Sequence, residues 1–169
     1  EQENGYSWEE PMTIVNPYQI APLTAVIFFD TPQECAVRFT VKGKTEEADV
    51  SGEVDASVSH RVPIIGLYPE IENTVVLELL DENGEVTDSR EVKVETETLP
   101  ESLEDVIYPV KTGGTSAYGL TMVYGQQTHL PFAYDCMGDI RWYMNKETAN
   151  YGLYLLSNNR MIWQDTGAY

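Results

Sequence analysis

Hydrophobic residues recur at every second position through much of the first hundred residues. In "AVRFTVK", Val37, Phe39 and Val41 fall on one side and Arg38, Thr40 and Lys42 on the other. That period predicts a half-buried strand. The run "TAVIFFD" is apolar throughout and predicts a central strand of a sandwich. In "NTVVLELL", Val75, Leu77 and Leu79 share one face, and "REVKVET" returns with Val92 and Val94 inward. Between them lies "DENG", where Asn83-Gly84 is predicted to supply the positive φ of a tight hairpin. "HRVPIIGLYP" reads as a strand carrying Pro63, and a proline there implies an edge position or a bulge. Helical periodicity with caps never extends beyond about eight residues. "PESLEDVI" predicts one short turn, with Ser102 as its cap and Asp105 three residues on. Short strands separated by turn signals predict an all-β chain that begins with an immunoglobulin-like β-sandwich over residues 1–100.

The pattern then breaks. Residues 101–114 carry Pro109 and Gly113-Gly114 and read as a linker. "KTGGTSAYG" has the look of a phosphate loop but lacks its Lys-Ser/Thr ending and a following helix, so linker is the better reading. From residue 115 to 169 strands are predicted at "YGLTMVYG", "LPFAYD", "DIRWYM", "YGLYLLS" and "RMIWQD". Ile140, Trp142 and Met144 face one way, Arg141 and Tyr143 the other. The turn "SNNR" places Asn158-Asn159 where left-handed geometry is needed, which Asn tolerates. Aromatic strands on tight turns, with an Asp-x-x-Gly-x-Ile-Arg-Trp module starting at Asp135, predict the first blade or blades of an incomplete β-propeller. A propeller closes with roughly four or more blades, and 55 residues supply too few. The expectation is a chain cut from a longer protein, or a truncated gene product.

Composition changes this picture mainly through charge. The chain holds 28 acidic and 10 basic residues, a formal charge of -18. So acidic a surface repels nucleic acid and anionic membranes, and neither is expected as a partner. The alternating Asp/Asn loop of a calcium site is absent, which leaves a solvated acidic shell. "TAVIFF" is far too short to span a bilayer. Eight of the 11 tyrosines and two of the three tryptophans follow residue 100. Cys35 and Cys136 lack the spacing of a metal pair, and no metal or cofactor is expected. They either bridge the two halves or remain free, and a buried free thiol is the commoner outcome for a Cys beside an apolar run. Nucleophile-elbow and dinucleotide-loop signatures are missing.

The stretches "NPYQIAPLTAVIFF", "VKGK" and "HRVPIIGLYPEIENTVVLELLDENGEV" together resemble the N-terminal domain of bacterial aryl-sulfate sulfotransferases. "YDCMGDIRWYM" resembles the segment where that family's β-propeller begins. The resemblance implies an extracellular, periplasmic or cell-surface enzyme in which a β-sandwich packs beside a propeller of about six blades. A channel histidine there accepts a sulfuryl group from a phenolic sulfate ester and passes it to a phenol. One difficult transfer becomes two easier ones, and hydrogen-bond donors stabilise charge on the sulfuryl oxygens.

It also implies that this machinery lies beyond residue 169, so no catalytic residue is assigned. The chain would then serve as a scaffold or dimerisation module, as a homodimer or a strand-swapped oligomer. Aryl sulfate and phenolic acceptor would be partners of the longer parent. His129 is the catalytic candidate, set against a packing or surface role. Arg141, Tyr118 and Tyr124 are candidates for substrate binding. Against that, Arg141 reads as an interstrand or blade-to-blade contact and the tyrosines as packing. His60, at a strand start, reads as structural. A different class of function stays open beside this one: an extracellular sandwich whose aromatic extension recognises a glycan or a protein.

Overall fold

The computed structural model describes residues 5–104, 119–124, 130–146, 148–155 and 161–165. Five strands build the first unit: β1 (Met12–Val15), β2 (Thr24–Val41), β3 (Val50–Ile65), β4 (Glu72–Leu80) and β5 (Val86–Glu95). All pair antiparallel in one sheet ordered β1-β2-β4-β5, with β3 on the other side of β2.

The predicted strands "TAVIFFD" and "AVRFTVK" are the two ends of the single 18-residue strand β2. Its first half lies between β1 and β3, and its second half between β3 and β4. The β2–β3 register breaks between Asp30 and Cys35 and again before Val37. Such breaks bend a strand and strengthen its twist. The sheet thereby curls over its own inner face, as an immunoglobulin-like sandwich requires. Alternation puts Ala25, Ile27, Phe29, Val37, Phe39 and Val41 inside, each at most 5% exposed. Val62, Ile64, Val75, Leu77 and Val94 meet them in one core cluster. Burying side chains of this size stabilises by about 1.5–3 kcal/mol each. Among the described residues β3 pairs only with β2, where Pro63 lies opposite Val26, so the proline stands on an edge strand as expected.

Two local expectations need correction. The β4–β5 loop has positive φ at Gly84 (79°) alone; Asn83 does not share it. Asp81 N donates to Glu85 O at 2.9 Å and Gly84 N to Asp81 O at 3.0 Å, enclosing a three-residue loop. The Asp81 carboxylate closes this loop from inside. Its Oδ1 accepts from Asn83 N (2.8 Å) and Glu85 N (2.9 Å). These bonds, the one from Glu85 first, hold its pKa below the usual carboxylate range. The second correction concerns α1 (Glu101–Glu104), where Ser102 sits inside the turn rather than at its cap. Leu103 N donates to Pro100 O at 2.8 Å, and Leu103, 1% exposed, anchors the turn in the core.

Beyond it come β6 (Thr121–Tyr124), β7 (Pro131–Tyr134) and β8 (Ile140–Tyr143), a three-stranded antiparallel meander. β9 (Thr148–Leu155) and β10 (Met161–Asp165) form a two-stranded sheet. The turn at Asn158-Asn159 lies outside the described residues. Leu130, Phe132, Ile140 and Tyr143 belong to the same hydrophobic cluster as Ile27 and Leu77. The meander is therefore packed on the sandwich.

Candidate functional site

The most heavily buried charge lies where the meander meets the sandwich. Arg141 on β8 is 0% exposed. Its Nη1 stands 2.7 Å from Asp135 Oδ2, and both side chains are wholly buried. Nε donates to Gly66 O at 2.7 Å, and Nη1 also donates to Ala48 O at 2.9 Å. The guanidinium carbon lies 3.7 Å from the centre of the Tyr68 ring, a cation–π contact in a dry setting. Tyr68 OH donates to Asp135 Oδ2 at 3.1 Å and accepts from Lys44 N at 3.0 Å. Burial above all pushes the Tyr68 pKa up to about 12, so the phenol stays protonated and a donor. Lys44 Nζ closes the rim, 2.8 Å from Asp139 Oδ1 and 5.4 Å above Tyr68.

Local sequence explains how these groups arrive. Asp135 opens the β7–β8 turn, where its Oδ1 accepts from Met137 N and Asp139 N, and Gly138 takes φ 87°. This leaves Oδ2 for Arg141 and Tyr68. Tyr68 is held by its own backbone: its N–H donates to Asn73 Oδ1 at 2.7 Å, and its carbonyl accepts from Thr96 Oγ1 at 2.6 Å. Arg141 therefore spends its donors on the sandwich backbone and Asp135, while Nη2 is buried without a hydrogen-bond partner. Chemically this arrangement is a lock between two sheets.

The remaining sequence candidates fall on residues or side chains that the structure does not describe. His129 and Tyr118 lie outside the described residues. Tyr124 ends β6 opposite Pro131, and its side chain is likewise outside the description. Sequence reasoning singled out Arg141 but missed Asp135 and Tyr68. The Asp-Cys-Met-Gly-Asp turn signals Asp135; nothing local signals a tyrosine 73 positions away.

A second polar cluster sits where β2 breaks register. His60, 2% exposed, pairs with Phe29 across the strands and stacks on it at 4.7 Å. Its Nε2 is 3.0 Å from Thr31 Oγ1 and 3.7 Å from Cys35 Sγ. Burial holds the His60 pKa below its ordinary value despite the pull of Asp30, so the ring is neutral near pH 7. Cys35 and Cys136 are both free thiols, each half-buried. Among the described residues, no three His, Cys, Asp or Glu side chains gather as metal ligands. Nor is any helix among them long and apolar enough to cross a membrane.

Comparison with known proteins adds a family. Residues 12–97 match the model of the arylsulfotransferase Ig-like domain. Over 77 residues the chain is 40% identical to the arylsulfate sulfotransferase AssT of Escherichia coli O6:H1 (strain CFT073). That match covers 43% of this chain and 13% of the relative, so the chain spans a small part of that protein's length.

Proposed function

We propose, from the premise that this chain belongs to the arylsulfotransferase Ig-like domain family, that it is the N-terminal part of a secreted aryl-sulfate sulfotransferase and braces that enzyme's reacting centre without containing it. The family match carries this reading. The relative that shares 40% identity is an arylsulfate sulfotransferase by name. The parent's reaction is then transfer of a sulfuryl group from a phenolic sulfate ester to a phenol through a histidine.

Two features of the chain favour the bracing role. His60, the described histidine, is packed flat on Phe29 in the core, where a phenolic ester does not reach its ring. Arg141, whose guanidinium suits a sulfate, has its donors turned onto Gly66, Ala48 and Asp135. In this reading β6–β10 open the propeller, and the Arg141 lock fixes its first strands against the sandwich.

The purified chain, mixed with p-nitrophenyl sulfate and excess phenol, should release no p-nitrophenolate above the buffer rate. Sustained turnover proportional to chain concentration would place the centre within these residues and defeat the proposal.

A further inference from the structure

We propose that the outer face of β1, the first half of β2 and β3 is a docking face, and that its occupant is an apolar sheet carried by the same polypeptide beyond the meander. Register places the residues. Met12 pairs with Phe28 and Ile14 with Val26; on the other side of β2, Pro63 pairs with Val26 and Ile65 with Thr24. Paired residues of an antiparallel sheet point to the same side, so these apolar side chains stand together. Met12, Ile14 and Ile65 are 39%, 40% and 45% exposed, while Ala25, Ile27 and Phe29 fill the core from the opposite face.

One strand supplies its own control. In its second half β2 turns Arg38 and Thr40 outward, where Arg38 lies 3.2 Å from Glu53 and Thr40 Oγ1 lies 3.0 Å from Ser51 Oγ. That half is built to face water. A run that is apolar at both parities, as in "TAVIFF", is the pattern of a strand covered on both faces. In a chain of charge -18 the face also stands out by where its charges fall. Arg61 and Asp30 sit together at the bulge end, opposite Phe28 and Ser59. Apolar surface rimmed in this way marks a contact site.

Area and connectivity choose the occupant. Three strands of about five residues give a footprint of roughly 250 Å². A stable contact between free proteins takes about 800 Å² from each partner. A tethered partner needs far less, because its effective concentration stands in for contact area. The tether is at hand. Ile65 adjoins Gly66, whose carbonyl accepts from Arg141, and Ile20 O accepts from Asn145 N at 2.8 Å. The face is thus continuous with the interface that holds the meander, and the polypeptide leaves β8 at its border. The docking face rests on the proposed longer enzyme; the matched stretch makes up 13% of the relative.

Met12 is a built-in probe. Its oxidation by peroxide, followed by peptide mass spectrometry, is compared between this chain and the gene product that continues past Tyr169. In the chain, Met12 should oxidise at a rate like that of Met137, which is 47% exposed, at every protein concentration. In the longer product it should react about tenfold more slowly, since attack then waits on undocking. Ile14→Asp should leave the chain's urea midpoint unchanged and restore Met12 reactivity in the longer product. An unprotected Met12 in the longer product, or protection that survives Ile14→Asp, would overturn the docking face. So would protection in the chain that grows with concentration, because the occupant is then a second copy. Turnover of p-nitrophenyl sulfate with phenol, measured on the same product, keeps the two proposals distinguishable. A protected Met12 without turnover sinks the enzyme alone; turnover with an unprotected Met12 sinks the docking face alone. A reading frame that stops at Tyr169 defeats both.

Discussion

Arg141 has no exposed surface, and its nearest counter-charge, Asp135, has none either. A buried pair is costly to split, because the survivor keeps its charge and loses its compensation. Asp135→Asn should therefore lower unfolding stability by about 3–5 kcal/mol, and Arg141→Met should cost no less, because it also leaves the Gly66 and Ala48 carbonyls without their donor. Urea unfolding of the two variants measures both, and a loss below about 1 kcal/mol for Asp135→Asn would show that the lock is not what holds the meander. Alternation in "DIRWYM" correctly separates Arg141 and Tyr143 from Trp142. It does not say which side faces in. Here both do: Arg141 and Tyr143 are buried, and on the other side Ile140 and Met144 are buried as well, with Trp142 alone half-buried. The reason is non-local: Gly66, Ala48 and Tyr68 supply the acceptors and the ring, and they lie on the sandwich. The His60 cluster was hidden for a similar cause. Cysteine spacing compares Cys35 with Cys136, while the partner that matters is a histidine 25 positions on.

Among the elements, strands were legible wherever apolar residues alternate, because one face of each meets the core. Length was less legible. The bulge at Thr31–Glu34 carries Pro32 and polar side chains, which read as a gap between strands although the backbone runs through as β2. Hairpin chemistry was half visible: Gly84 takes the left-handed position, but Asp81 rather than Asn83 completes the loop. Two glycines in these elements separate backbone strain from packing. A Cβ at Gly84 would meet nothing within 4 Å, so Gly84→Ala should cost about 1–2 kcal/mol through its φ alone. A Cβ at Gly52 would lie 2.6 Å from the Phe39 ring, so Gly52→Ala should cost about 1–3 kcal/mol by overpacking. Adding Phe39→Leu should relieve part of the second penalty and none of the first. Chemical denaturation of the two pairs decides; equal responses to Phe39→Leu would refute the distinction.

For the whole molecule, sequence alone drew a division at residue 100 from prolines, glycines and the shift in aromatic content. What composition does not carry is that Phe132 and Tyr143 share a cluster with Ile27. Cohesion across that point comes from burial, and burial leaves no local mark. The charge of -18 works the other way, since like charges favour expansion and are held together by this common interior. β2 has a further consequence. Ile27 and Phe39 sit at opposite ends of one continuous strand, and each end is a central strand of its own layer. Neither layer can come apart while the other keeps its shape, so native-state amide exchange at these two residues should report one common opening energy, equal to the global value within about 0.5 kcal/mol. Two distinct opening energies would mean that the layers breathe separately. One shared strand thus acts as a hinge pin rather than a seam, and the sandwich should open in a single event or not at all.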